Sequence, residues 1–125
     1  MSYLSSTGQC LGISAATAKA LATAVWSGNP FSGSHDPARA DKEPMVRAGV
    51  IAAWRMAEPE AAIELAAEAA RTTHQAPVAL DACRYFAGLV VGALQGRSKQ
   101  ELLSPLFTPV PDLWTRRRLK REVEV

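Results

Sequence analysis

The chain has 125 residues and a formal charge of +2, a size that allows one domain or part of one and excludes a multi-domain scheme. Its residues are 48% hydrophobic, with 23 alanines and only 6% Phe, Trp and Tyr, so the buried material is small and closely spaced, which favours helices. Charged residues at 21% argue against wholesale disorder, and the positive excess falls within positions 112–125, which leaves a neutral body and argues against a strongly basic, partner-seeking protein.

Residues 1–12, MSYLSSTGQCLG, read as an irregular lead-in without a period. Ser14 can cap a first helix over Ala15 to Trp26, with Ala18, Leu21, Ala22 and Val25 on one face and Gly28-Asn29-Pro30 as its stop. The segment from Gly28 to Glu43 is longer than an ordinary connection, and loops above about 12 residues in a compact domain are usually functional or disordered. Pro44 suits the first turn of a second helix, on which Val46, Val50, Ala53 and Trp54 form the stripe expected to face the core.

Pro59 starts a third helix to about Arg71, with Ile63, Ala66, Ala67 and Ala70 inward and Glu60, Glu64 and Glu68 outward. Thr72 to Ala76 form a polar turn, and Pro77 opens a long fourth helix. Ala79, Ala82, Cys83, Phe86, Val90 and Leu94 share one of its faces, and Gly96 stands at its C-terminal cap. Ser98 and Glu101 make a capping box for a short fifth helix through Leu103. Three prolines in PLFTPVPDLW exclude a helix or a central strand there, and the charged residues 115–125 are expected to fray. No alternating β pattern and no internal repeat is present. The expected architecture is all-helical, with the third and fourth helices as an antiparallel pair.

Cys10 and Cys83 are too few and too far apart for a disulfide scaffold or a thiolate metal site, so they read as reduced thiols of a cytoplasmic protein, Cys83 as core filling. The uncharged apolar stretch Tyr85 to Leu94 is too short for a bilayer, which takes about 20 residues, so no membrane partner is expected. The Glu60, Glu64 and Glu68 stripe reads as a solvated face near a helix N-terminus, with Glu68 paired to Arg71. Asp81 and Arg84 read as a surface pair one turn apart. Arg116, Arg117, Arg118, Lys120 and Arg121 have the composition of an anion-binding patch, but they lack aromatics and precede Glu122 and Glu124, so a solvated tail is expected and a nucleic-acid partner is not. His74 sits in the polar turn between two helices. There it either complements a helix dipole and caps carbonyls or lines a functional cleft, and the residues alone leave both open.

Several motifs occur in one order: Tyr3-Leu4-Ser5-Ser6-Thr7-Gly8, Gly28-Asn29-Pro30-Phe31, Asp36-Pro37, Met45-Val46-Arg47, Pro59-Glu60-Ala61-Ala62, Thr72-Thr73-His74, Asp81-Ala82-Cys83, Ser98-Lys99-Gln100-Glu101-Leu102-Leu103-Ser104-Pro105 and Thr108-Pro109-Val110-Pro111. In order and spacing they resemble the central segment of an ADP-ribosylglycohydrolase, of the type that activates dinitrogenase reductase. The resemblance implies an orthogonal all-α bundle, present here as a partial domain of about five helices over residues 1–114, followed by the charged tail 115–125. It implies a hydrolase family that uses Mg2+ to cleave the glycosidic bond between ADP-ribose and a protein acceptor, the metal orienting the ribose and an attacking water.

The family's metal ligands come from a Gly-rich Asp motif, a Thr-Asp-Asp pair and an Asp-x-Asp-Thr motif. This sequence has no adjacent aspartates and no Asp-x-Asp, so no magnesium ligand and no catalytic residue is assigned in it. Lys42-Glu43-Pro44-Met45-Val46-Arg47 stands where the family reads Asn-Gly-Ser-Leu-Met-Arg, and only the arginine is kept. Leu11-Gly12-Ile13-Ser14 stands where it often reads Phe-Asp-Ile-Gly. By resemblance, His74 and Arg47 are the expected substrate-binding residues. The expectation is a truncated or degenerate glycohydrolase-like chain that does not catalyse the reaction alone, with ADP-ribose or an ADP-ribosylated protein as partner and complementing fragments as possible companions. The alternative is a non-catalytic helical module that binds ADP-ribose or a protein.

Overall fold

A computed structural model describes residues 6–124 of the chain. Tyr3, Leu4 and Ser5 of the first matched motif lie outside the described residues. Helices account for all regular structure among the described residues: α1 (Ala15–Ser27), a single 3₁₀ turn (Pro37–Arg39), α2 (Met45–Trp54), α3 (Pro59–Ala70), α4 (Pro77–Leu94), α5 (Lys99–Leu102) and α6 (Leu113–Arg116). The all-α expectation holds. Local signals set the helix ends much as the sequence suggests. The Ser14 hydroxyl accepts from the Thr17 amide, Gly28 closes α1 at φ 74°, and Ser98 and Glu101 complete their reciprocal cap.

The core is built where α2, α3 and α4 pack pairwise on one another. Alanine makes this possible: Ala48 and Ala52 of α2, Ala62, Ala66 and Ala70 of α3 and Ala87 of α4 are fully buried, and their single methyls let the backbones approach while Ile63, Cys83 and Val91 fill the seam. At Gly92 a Cβ would stand 2.5 Å from the Phe107 ring, so that glycine admits the segment that turns back after α5. Trp114 Nε1 then donates to the Phe107 carbonyl at 2.9 Å. By length and composition α4 would pass as a membrane-crossing helix, but here it is the central core helix, and Asp81 and Arg84 are paired within it.

Three expectations about buried faces and pairs are corrected. The stripe Val46, Val50, Ala53 and Trp54 faces solvent, with Trp54 74% exposed, while Ala48 and Ala52 point inward. Both faces of α2 are apolar, and the smaller one is chosen because the close α2–α3–α4 approach excludes Val and Trp. On α1, Val25 and Ala22 are likewise exposed, and Ala20 is the buried residue. Asp81 and Arg84 are not a surface pair. They bond at 2.8 Å with both side chains 11% exposed, and the second Asp81 oxygen accepts from the Lys120 amide at 2.8 Å.

The charged segment expected to fray is folded onto the helices over its described residues. Leu113, Trp114, Leu119 and Val123 join the core cluster, Arg116 bonds Glu60 at 3.4 Å and Arg117 bonds Glu64. Glu60 and Glu64 of the acidic stripe are therefore partners of Arg116 and Arg117 at the end of α6. Each looks solvated alone because its counter-charge lies more than 50 residues away.

Candidate site around His74

The turn after α3 keeps its polar residues inside. His74 is 2% exposed, and Thr73 and Gln75 are also buried. The long segment from Gly28 onward covers them. The Gln75 amide donates to the Ser34 carbonyl at 2.9 Å, and its side-chain amide donates to the Phe31 and Gly33 carbonyls at 3.0 and 2.9 Å. Arg71 lies 4.1 Å over the Phe31 ring, a cation–π contact that pins the Gly-Asn-Pro-Phe motif. Gly33 passes so close to the turn that a Cβ there would be 2.3 Å from the His74 nitrogen. The connection is thus an ordered cover over His74.

Both imidazole nitrogens of His74 are engaged. Nδ1 lies 2.8 Å from Thr73 Oγ1, and Nε2 lies 2.9 Å from Asp41 Oδ2 and 3.9 Å from Glu43 Oε2. Thr73 Oγ1 also accepts from the Arg47 guanidinium at 2.5 Å. The Asp41 carboxylate only accepts, so Nε2–H donates to it, and the Thr73 hydroxyl, with two lone pairs and one proton, can pair with Nδ1 in either sense while it accepts from Arg47.

Burial would raise the Asp41 pKa, but the hydrogen bond from the Glu43 amide and the bond and charge of His74 outweigh it and hold the carboxyl below its ordinary 3.8. Glu43 reaches the other way: its carboxylate accepts from the Ser14 and Thr17 hydroxyls, at the N-terminus of α1 where a negative charge is favoured.

Two cavities border this network. An open groove of about 850 Å³ is mainly apolar, lined by Ile13, Met45, Val46 and Phe86 with Asp41, Lys42 and Glu43 on its polar edge. A smaller pocket of about 180 Å³ has His74 and Thr73 in its wall, with Lys19 and Arg39, two cations, and the hydroxyls of Thr23, Ser32 and Ser34.

The two residues singled out from the sequence, His74 and Arg47, are thus brought together through Thr73. They do not play equal parts. Arg47 is turned inward, giving one N–H to Thr73 and one to the Ala69 carbonyl at 3.4 Å, with its Nε buried and unpartnered. Asp41, Lys19 and Arg39 were not legible as site residues, because 33 positions separate Asp41 from His74 and only the folded chain joins them, whereas Thr73 stands in the Thr72-Thr73-His74 motif. One signal was present: Asp41 and Glu43, two apart and just ahead of Pro44.

Asp41, Glu43 and His74 are also the residues that could hold a metal, since one donor atom from each lies within 4.8 Å of the other two. A family model described as ADP-ribosylglycohydrolase matches residues 1–125, the whole chain. No curated protein and no solved structure matches it. With an all-α fold and the motifs around His74 meeting at one place, the full-length match decides the assignment: the chain belongs to the ADP-ribosylglycohydrolase family.

Proposed function

We propose that this chain binds the ADP-ribosyl group of its family's substrates beside His74 and does not hydrolyse the glycosidic bond by itself. The observation that carries the binding half is the pairing of unlike cavities across one network. The groove offers Met45, Val46 and Phe86 to a flat base, while the pocket offers Lys19, Arg39 and three hydroxyls to phosphate oxygens. His74, 2% exposed and held at both nitrogens, is a fixed part of the pocket's wall and bonds Asp41 at the polar edge of the groove. Arg47 acts through Thr73, as a positioning residue.

The non-catalytic half rests on donor chemistry. The four aspartates, Asp36, Asp41, Asp81 and Asp112, include no adjacent pair and no Asp-x-Asp. Among the described residues the convergent donor group is Asp41, Glu43 and His74. Magnesium demands near-octahedral oxygen ligands at about 2.0–2.1 Å, so a three-donor group that contains an imidazole nitrogen does not fit it. No step of the family's reaction is therefore routed through this chain.

The test is a thermal melt of the whole chain, followed by circular dichroism, with and without ADP-ribose. A ligand that binds only the folded state raises the transition by mass action, so the expected result is an upward shift that Lys19→Ala and His74→Ala each reduce. Release of ADP-ribose from an ADP-ribosylated protein is measured in parallel and expected to stay at the uncatalysed rate. A melt blind to ADP-ribose refutes the binding reading, and release above background refutes the non-catalytic one.

A further inference from the structure

We propose that Asp41, Glu43 and His74 form a mononuclear site for a divalent transition ion of the zinc class. Its donors are one oxygen from each carboxylate and His74 Nε2, with water completing the shell. The site does not depend on ADP-ribose binding.

Three observations point this way. The first is geometric. With bonds of about 2.0–2.2 Å, the donors of a tetrahedral zinc ion stand about 3.4 Å apart. Asp41 Oδ2 is 2.9 Å and Glu43 Oε2 is 3.9 Å from His74 Nε2, on either side of that value. The three residues come from the end of the cover and from the turn after α3, so closing the ring needs only small side-chain movements.

The second is charge. Two carboxylates face one imidazole, which carries at most one positive charge, so the group has a net negative charge in either protonation state. Arg47 is committed to Thr73 and Ala69, and among the described residues Lys42 pairs with neither acid. Glu43 spends one lone pair of each oxygen on Ser14 and Thr17. A carboxylate has about four lone-pair sites, so one on Oε2 stays available on the side of His74.

The third is the support behind the ligand. A metal-binding histidine has its remote nitrogen held by a hydrogen bond that fixes ring and tautomer. Here Nδ1 meets Thr73 Oγ1 at 2.8 Å, and Thr73 is in turn held by Arg47. When Nε2 gives its lone pair to the ion, the ring carries its proton on Nδ1, and the Thr73 oxygen accepts from both Nδ1–H and Arg47. The hydroxyl rotates and no heavy atom need move. A mixed nitrogen and carboxylate set suits zinc, cobalt or similar ions better than magnesium or calcium. Asp41 and Glu43 also line the open groove, which gives an ion a path in.

The test titrates the full chain with Co2+ alone, read by visible absorption, and then competes with Zn2+ or Mg2+. The expected result is one Co2+ per chain, displaced by Zn2+ and untouched by an excess of Mg2+. Asp41→Asn and Glu43→Gln, on side chains that are partly exposed, should each weaken binding at least tenfold, a loss of the size that even outer-shell changes cause. His35→Ala and Cys10→Ser, outside the group, should leave it unchanged. Nitrogen-15 NMR should show His74 without a proton on Nε2 and with one on Nδ1 after Zn2+ addition. The proposal is overturned if Co2+ does not bind, if the His35 or Cys10 variant removes binding while the carboxylate variants keep it, or if Mg2+ competes as well as Zn2+.

Discussion

Gly33→Ala is the substitution that most directly tests how the cover holds His74. An added Cβ would lie 2.3 Å from the His74 nitrogen, 2.5 Å from the Thr73 carbonyl carbon and 2.8 Å from the His74 Cα. All three are backbone atoms of a turn fixed by the Thr73 and His74 amides on the Ala70 carbonyl, so the turn cannot yield. The cover must lift by about 1 Å to restore ordinary contact. That displacement strains four hydrogen bonds: the Gly33 amide to Arg71, the Gln75 amide to Ser34, and the Gln75 side chain to Phe31 and Gly33.

Overpacking costs about 1–3 kcal/mol, and a buried polar group left unpaired costs about 1–3 kcal/mol more, so a loss of about 3 kcal/mol is expected. Urea denaturation followed by far-ultraviolet circular dichroism measures it. Gly28→Ala is the control. Gly28 has φ 74° with nothing within 4 Å of a Cβ, so its penalty is the left-handed backbone alone, about 1–2 kcal/mol, and the His74 ring resonances should not move. If Gly33→Ala costs no more than Gly28→Ala, or leaves those resonances in place, the close approach does not position His74 and the reasoning is refuted.

Asp81→Asn should cost about 3 kcal/mol in the same assay, because it strips a buried ion pair from Arg84, and hydrogen exchange should accelerate at the Lys120 amide that Asp81 accepts from; unchanged exchange there would contradict the anchoring of the last segment. Burial pushes the Cys83 thiol from 9.0 up to about 11. Between those values the unfolded chain has released a proton that the folded chain retains, so stability should fall as pH rises, by about 1.4 kcal/mol per pH unit, and Cys83→Ala should flatten the slope. Val50→Asp on the exposed face of α2 should change the unfolding free energy by less than about 1 kcal/mol, whereas Ala52→Asp, fully buried, should unfold the chain. Equal damage from the two would mean that the α2 face is covered.

What the residues alone determined about this protein is local. Helix starts at Ser14, Pro59, Pro77 and Ser98 and the stop at Gly28 depend on capping and proline geometry within a few positions, and so could be read without knowing the fold. The motif series that marked the family was likewise a property of order and spacing, and the match over residues 1–125 bears it out. His74 stood out because a polar turn between two alanine-rich helices gave it no obvious apolar role.

The tertiary structure decided which apolar face each helix buries and which polar groups meet. In α2 the larger residues Val46, Val50 and Trp54 lost to Ala48 and Ala52, since a period shows that a face exists and only the distance to the next helix selects its size. The pairs Arg117 with Glu64, Lys120 with Asp81 and His74 with Asp41 join residues 53, 39 and 33 positions apart. Charge alone reads such groups as solvated. Their pairing follows from long-range closure of the chain, which no local window contains.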